Sequence, residues 1–124
     1  MNTAIIMLGS NSNAEGNLKL AMHKLEGHFE IIDKSFRLKT EPIGVICSMN
    51  FHNLALKLLI KENVDDTRRI FKQIELEMGR DAESKLTGII PIDIDLIFWN
   101  ENLVHEDYNR FEYVQSCVNE IIDN

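Results

Sequence analysis

Positive charge is scarce in this chain: 13 lysine and arginine residues stand against 20 aspartates and glutamates, for a net charge of −7. That deficit excludes a nucleic acid or an anionic membrane held on a basic surface. It also means that an anionic substrate would need a metal cation to help bind it. Cysteine is nearly absent. Cys47 and Cys117 form no CxxC pair and no disulfide framework, and they read as reduced structural thiols in the cytoplasm. No run approaches the ~18 apolar residues of a membrane span. The opening MNTAIIMLGSN lacks the basic region of a signal peptide. Internal repeats, low-complexity tracts and linker-like stretches are missing, as are Walker A, Rossmann and nucleophile-elbow motifs. The histidines at 23, 28, 52 and 105 show no metal-ligand spacing and read as surface or interface residues.

What is present suits one domain, residues 1–124, with 44% hydrophobic residues to build a core. Residues 3 to 8 read as a buried strand closed by the turn Gly9-Ser10-Asn11. Ser12 and Glu15 form an S-x-x-E capping box ahead of an amphipathic helix over 13 to 26. Residues 29 to 39 read as a second strand with Ile32 and Phe36 in the core, and 40 to 50 as a loop. A third strand covers 51 to 61. Asn63 then caps a helix whose stripe is Ile70, Phe71, Ile74 and Met78, with Asp65 and Asp66 in its first turn and Gly79 at its end. Residues 80 to 91 read as a loop and 92 to 99 as a strand. A turn at 100 to 102 leads to a short hairpin strand at Leu103 and Val104, and 111 to 122 form a last helix. The order β-α-β-β-α-β predicts an α+β, ferredoxin-like antiparallel sheet with helices on one face, plus the hairpin strand and the C-terminal helix.

The segment IPIDIDLIFWN, 90 to 100, carries the chemistry. Strand side chains alternate, so Asp93 and Asp95 share one face, while Ile94, Leu96 and Phe98 take the other. Two such carboxylates can converge on divalent cations, and Mg²⁺ prefers oxygen ligands. The alternative is a sheet face that simply meets solvent. Arg80 stands at the mouth of the preceding loop, where it can neutralise a phosphate, or belongs with Lys72 and Glu75 to a solvated helix face. Phe51 and Asn53 share a strand face, where one can stack on a flat heterocycle and the other pair with its amide-like edge. A core Phe beside an edge Asn explains them as well. The GSN turn either touches a ligand or only joins strand to helix.

In this order and spacing, GSN at 9–11, T-x-P-x-G at 40–44, F-x-N at 51–53, E-x-x-x-G-R at 75–80 and D-I-D-L at 93–96 resemble the 6-hydroxymethyl-7,8-dihydropterin pyrophosphokinase family of folate synthesis. The resemblance covers roughly the first hundred residues. It implies the ferredoxin-like fold and transfer of the β,γ-pyrophosphoryl group of ATP to the pterin hydroxymethyl oxygen. Asp93 and Asp95 would hold two Mg²⁺ ions on the triphosphate, with Asp93 close to the hydroxymethyl group and Arg80 neutralising phosphate charge. Thr40, Ile43, Phe51, Asn53 and Tyr113 would line the pterin pocket. Lys72, Glu75, Arg80, Leu96 and Arg110 would meet the nucleotide. Tyr113 and Arg110 stand in for the family's second stacking aromatic and its C-terminal arginine only across a deletion.

Departures from the family pattern cluster before the aspartates. Thr87 stands where the family has Trp, Ile90 where it has Arg, and Ala82 where a second loop arginine is expected. Each lost guanidinium removes a bidentate phosphate clamp. Three readings therefore stay open at this stage: a working pyrophosphokinase, a non-catalytic pterin- or nucleotide-binding relative, and a ferredoxin-like interaction module.

Overall fold

Alternation and helical periodicity become an antiparallel sheet with helices on both faces. The computed structural model describes residues 1–42 and 49–123. Ile43, Gly44 and Cys47 lie outside the described residues. Along the chain run β1 (Asn2–Ser10), α1 (Ala14–Glu26), β2 (Glu30–Lys34), β3 (Leu38–Thr40), β4 (Phe51–Ile60), α2 (Val64–Glu77), α3 (Ala82–Thr87), β5 (Asp93–Trp99), β6 (Asn102–Leu103), α4 (Asp107–Arg110) and α5 (Glu112–Ile121). The strand order is β2-β4-β1-β5-β6, with β3 continuing β2's side of β4. β1 is central and covered on both faces, which is why Ala4 to Leu8 read as an unbroken apolar run.

Two cores result. Ala4, Ile6, Leu8, Leu56, Leu58 and Ile94 meet Leu18, Ala21 and Leu25 of α1 and Phe71 and Ile74 of α2. On the opposite face Ile5, Met7, Ala55 and Ile97 meet Val114, Cys117, Val118 and Ile121 of α5. The ferredoxin-like plan holds, and the C-terminal helix covers the face that α1 and α2 leave bare. The Asn63 cap is present, its side chain accepting from the Asp66 N–H at 2.8 Å. Gly79 follows α2 with φ of 94°, a left-handed value suited to glycine.

Four local expectations change. The strand expected over 29–39 is two strands. The Ser35 hydroxyl accepts from the Ala55 N–H at 2.8 Å, and the Ser35 N–H donates to the Ala55 carbonyl at 2.9 Å, so a side chain replaces a ladder carbonyl and the chain bends. The register slips between Ile31 and Asp33, making Ile32 the extra residue of a bulge. Ile32 and Phe36 therefore point outward, each 43% exposed, and Phe29 and Ile31 pack inward instead. The capping box at Ser12 and Glu15 does not form. Asn13 is the N-cap, left-handed and without a side-chain cap bond. The Asn17 amide and the Ser10 hydroxyl hold the Ser12 carbonyl there, at 2.6 and 3.1 Å. The loop expected over 80–91 contains α3, opened by a capping box between Asp81 and Ser84. Finally, a register shift between Ile5 and Ile6 against β5 breaks the alternation after Ile97. Phe98 thus packs with Ile97 on the α5 side, not with Leu96.

Burial separates the two kinds of apolar residue. Leu8→Ala is expected to cost about 2–5 kcal/mol in urea unfolding. Ile32→Ala, at a bulged and partly exposed site, should cost under about 1 kcal/mol.

Candidate active site

Asp93 and Asp95 share the α5 side of β5, where they pair in register with Gly9 and Met7 of β1. The outer edge of β5 is another matter. β6 pairs only with Phe98 and Trp99, so the ladder stops short of the aspartates. A side chain takes the place of the missing strand. Glu75, buried at 7% side-chain exposure, accepts the Ile94 N–H at 2.8 Å. The same Oε2 accepts from Arg80 Nη1 at 3.0 Å, and Nη1 also donates to Asp93 Oδ1 at 2.6 Å and to the Ile92 carbonyl at 3.4 Å. One guanidinium thus joins the end of α2 to the first aspartate.

Two cavities meet at this edge. The first, about 190 Å³, is lined by Thr40, Phe51, Asn53, Asp93, Asp95 and Tyr113, with Gly9 and Met7 beneath and Glu41 and Asp107 at its sides. The Asn53 amide donates to the Leu38 carbonyl at 3.1 Å and to Thr40 Oγ1 at 2.9 Å, so its Oδ1 is left as the acceptor. That oxygen sits 3.2 Å from where a Cβ on residue 9 would be. A side chain at residue 9 would crowd this oxygen, which gives the GSN turn part of its meaning. The second cavity, about 250 Å³, lies on the α2 side and is lined by Arg68, Phe71, Lys72, Glu75, Leu96 and His105, again with Asp95. Of the sequence-derived ring-binding set, Thr40, Phe51, Asn53 and Tyr113 line the first cavity, and of the nucleotide-binding set, Lys72, Glu75 and Leu96 line the second. The two cavities share Asp95, and Arg80 lies between Glu75 and Asp93 without lining either. Arg110 lines neither. It lies on the outer surface, over the Phe111 ring and 3.6 Å from Glu106.

The site is starved of positive charge. Burial first, and then the Asp93 carboxylate, push the Asp95 carboxyl up to about 8, with Asp107 and Glu75 adding to the effect. Burial, followed by Asp107 and Asp95, raises the Tyr113 phenol to about 12. Burial also raises Glu75, opposed by the Ile94 hydrogen bond and by Arg80.

His105 and Asp107 were not singled out by sequence. His105 Nε2 is 3.9 Å from Asp95 and its Nδ1 is 3.7 Å from Asp107. One ligand atom from each of the three lies within 4.8 Å of the others. Hairpin counting would have found His105. Leu103 faces Phe98, and the Val104 N–H reaches the Ile97 carbonyl at 2.9 Å, so the next residue arrives beside Asp95.

The geometry defines a class: a ferredoxin-like α+β domain whose central sheet carries a paired-carboxylate edge between two cavities. The chain belongs to the 7,8-dihydro-6-hydroxymethylpterin-pyrophosphokinase (HPPK) family, whose pattern matches residues 5–123. It is 30% identical over 105 residues to the folate synthesis bifunctional protein of Arabidopsis thaliana, covering 83% of this chain and 22% of that protein. It is 30% identical over 107 residues to the folic acid synthesis protein FOL1 of Dictyostelium discoideum, covering 86% of this chain and 16% of that one. The chain thus spans about a fifth of the length of these curated relatives. The crystal structure of Plasmodium falciparum HPPK-DHPS wild type with SDX-DHP shares the fold, with a TM-score of 0.59 at 18% identity over 100% of this chain and 35% of that one.

Asp95 yields a pH prediction. Its folded pKa lies above the unfolded value, so the stability it contributes is present at low pH and is lost as pH rises through about 8. Asp95→Asn removes this loss. In the absence of divalent cations, the variant should melt above the wild type at neutral pH, by a margin that grows from pH 5 to pH 8 in thermal scans. A constant or negative margin would contradict the charge balance described.

Proposed function

We propose that this chain transfers the β,γ-pyrophosphoryl group of ATP to 6-hydroxymethyl-7,8-dihydropterin, releasing AMP, as a step of folate synthesis. The pterin hydroxymethyl oxygen forms a bond to the β-phosphorus. The bond between that phosphorus and the oxygen bridging to the α-phosphorus breaks. AMP leaves with the bridging oxygen, and the hydroxyl proton passes to solvent. The observation that carries this reading is Asp95 at the wall common to both cavities.

Phe51 and Tyr113 would stack on the pterin ring, with Ile43 and Thr40 beside it. Asn53 Oδ1, which takes no bond among the described residues, would accept a ring N–H. Lys72, Glu75 and Leu96 would line the nucleotide side. Arg80 would set its guanidinium against phosphate oxygens, and Arg110, which lines neither cavity, would reach the nucleotide only by leaving Phe111 and Glu106 on the outer surface. Asp93 and Asp95 fit Mg²⁺, since they offer hard oxygen ligands on one side of a strand and Asp95 is a carboxylate short of compensating charge. Two Mg²⁺ ions held there would neutralise and align the triphosphate. The chain's own work is positioning and exclusion of water, so no dedicated general base is required. Dependence on ATP and the buried free thiol of Cys117 suit a cytoplasmic enzyme.

A second reading, ligand binding without turnover, is favoured by one observation: Ala82 and Ile90 are uncharged where the family carries arginines, and Thr87 lacks the ring of the family's tryptophan. Thr87 instead closes the last turn of α3, its hydroxyl donating to the Glu83 carbonyl at 3.0 Å and accepting the Ile89 N–H at 3.2 Å.

Mixing the protein with ATP, Mg²⁺ and hydroxymethyl-dihydropterin should generate AMP in proportion to enzyme, and Asp93→Asn should cut the rate at least about 100-fold. Ligand-induced thermal stabilisation with no AMP above a protein-free control would support the second reading. Neither AMP nor stabilisation would reject both.

A further inference from the structure

Resting on the proposed role of Asp93 and Asp95, we infer that Asn11 is a positioning residue for that carboxylate pair. Asn11 is 5% exposed and spends its polar groups on one short stretch of chain. Its N–H donates to the Ile90 carbonyl at 3.1 Å. Its Oδ1 accepts the Ile90 N–H at 2.7 Å, and its Nδ2 donates to the Gly88 carbonyl at 2.7 Å. Both peptide groups of Ile90 therefore end on a single residue. The Ser10 hydroxyl adds a longer contact to the same carbonyl at 3.4 Å.

The need for this clasp follows from what comes next. The ladder between β1 and β5 ends at Gly9 and Asp93. Between Ile90 and Asp93 stands Pro91, which has no N–H to give. Without the side-chain amide of residue 11, the Ile90 N–H and the Gly88 carbonyl would lose these partners. Ahead of the strand only carbonyl contacts, from the Asn11 N–H and the Ser10 hydroxyl to Ile90 and from Arg80 to Ile92, would remain of those described. An asparagine serves both groups because one planar group offers an acceptor and a donor together. On the other side, α3 exits through Gly88, whose φ of 73° makes a left-handed turn. The Nδ2 bond fixes the carbonyl of that same residue. Asn11 thus separates the α3 segment from the aspartate strand and sets where the strand starts. It touches neither cavity among the described residues, so its effect on ligands runs through Asp93 and Asp95.

The test compares Asn11→Asp with the wild type. The substitution keeps shape and the acceptor for the Ile90 N–H, but it turns the Nδ2 donor into an oxygen facing the Gly88 carbonyl. Calorimetric titration with Mg²⁺ and a non-hydrolysable ATP analogue is run at a temperature where circular dichroism shows both proteins folded. Affinity is expected to fall about tenfold or more, as for other residues that orient metal ligands. Asn2→Ala, which removes a 2.9 Å bond to the Glu62 carbonyl at the far end of β1, serves as the stability control. It should lower the melting temperature and leave affinity unchanged. Asn11→Ser substitutes if the Asp variant does not fold. In the wild type, ligand should slow exchange of the Ile90 amide hydrogen, because coupling is reciprocal. Affinity within twofold of wild type in the Asn11 variant, or equal losses in the Asn2 control, would overturn the assignment of Asn11 while leaving the proposed function standing. A wild type that binds no Mg²⁺ and nucleotide would instead overturn the metal reading itself, and this inference with it.

Discussion

The site depends on how the outer edge of β5 is closed. A strand with no neighbour leaves N–H groups that must find acceptors, and the Ile94 N–H is buried. Glu75 answers from the adjoining helix with a carboxylate oxygen, and Arg80 pins that carboxylate to Asp93 and to the backbone at Ile92. Burying an anion is tolerable only when it is paired and hydrogen-bonded in this way. The result is a joint: α2 cannot shift along the sheet without disturbing the first aspartate. The sheet, the cavities and the carboxylates are held in one frame by these few bonds.

That joint also shapes the electrostatics. Near the edge lie Asp93, Asp95, Asp107, Glu75 and Glu41, with Arg80, Lys72 and Arg68 as the nearby cations among the described residues. Arg80 is already engaged with two of the acids. The positions where the family carries further guanidinium groups hold Ala82 and Ile90 here. A polyphosphate approaching this surface would meet net negative charge, so divalent cations would have to supply the attraction that side chains do not.

Much of this was legible from residue order. An unbroken apolar run marked β1 and a stretch of strand formers marked β4, because both faces of the sheet are buried, while period-two alternation marked β5. The same periodicity put Asp93 and Asp95 on one side, and the spacing of Phe51 and Asn53 put them together in the first cavity. What escaped was decided by single polar atoms. Ser35 substitutes its hydroxyl for a carbonyl and turns Phe36 outward. The slip beyond Ile97 moves Phe98 to the other core. α3 has six residues and too little apolar content to show a stripe, and it is defined by its caps instead. His105 and Asp107 gain meaning only through the hairpin that folds them back on Asp95.

The brevity of β6 has a consequence for how such a domain can change. Because the ladder stops at Phe98, the rim of the sheet stays open beside Asp95, and the two chambers on opposite faces share a common doorpost. A hairpin grown by three residues on each arm would brick up that doorway with backbone. The chambers would survive as separate rooms with backbone between them at this wall.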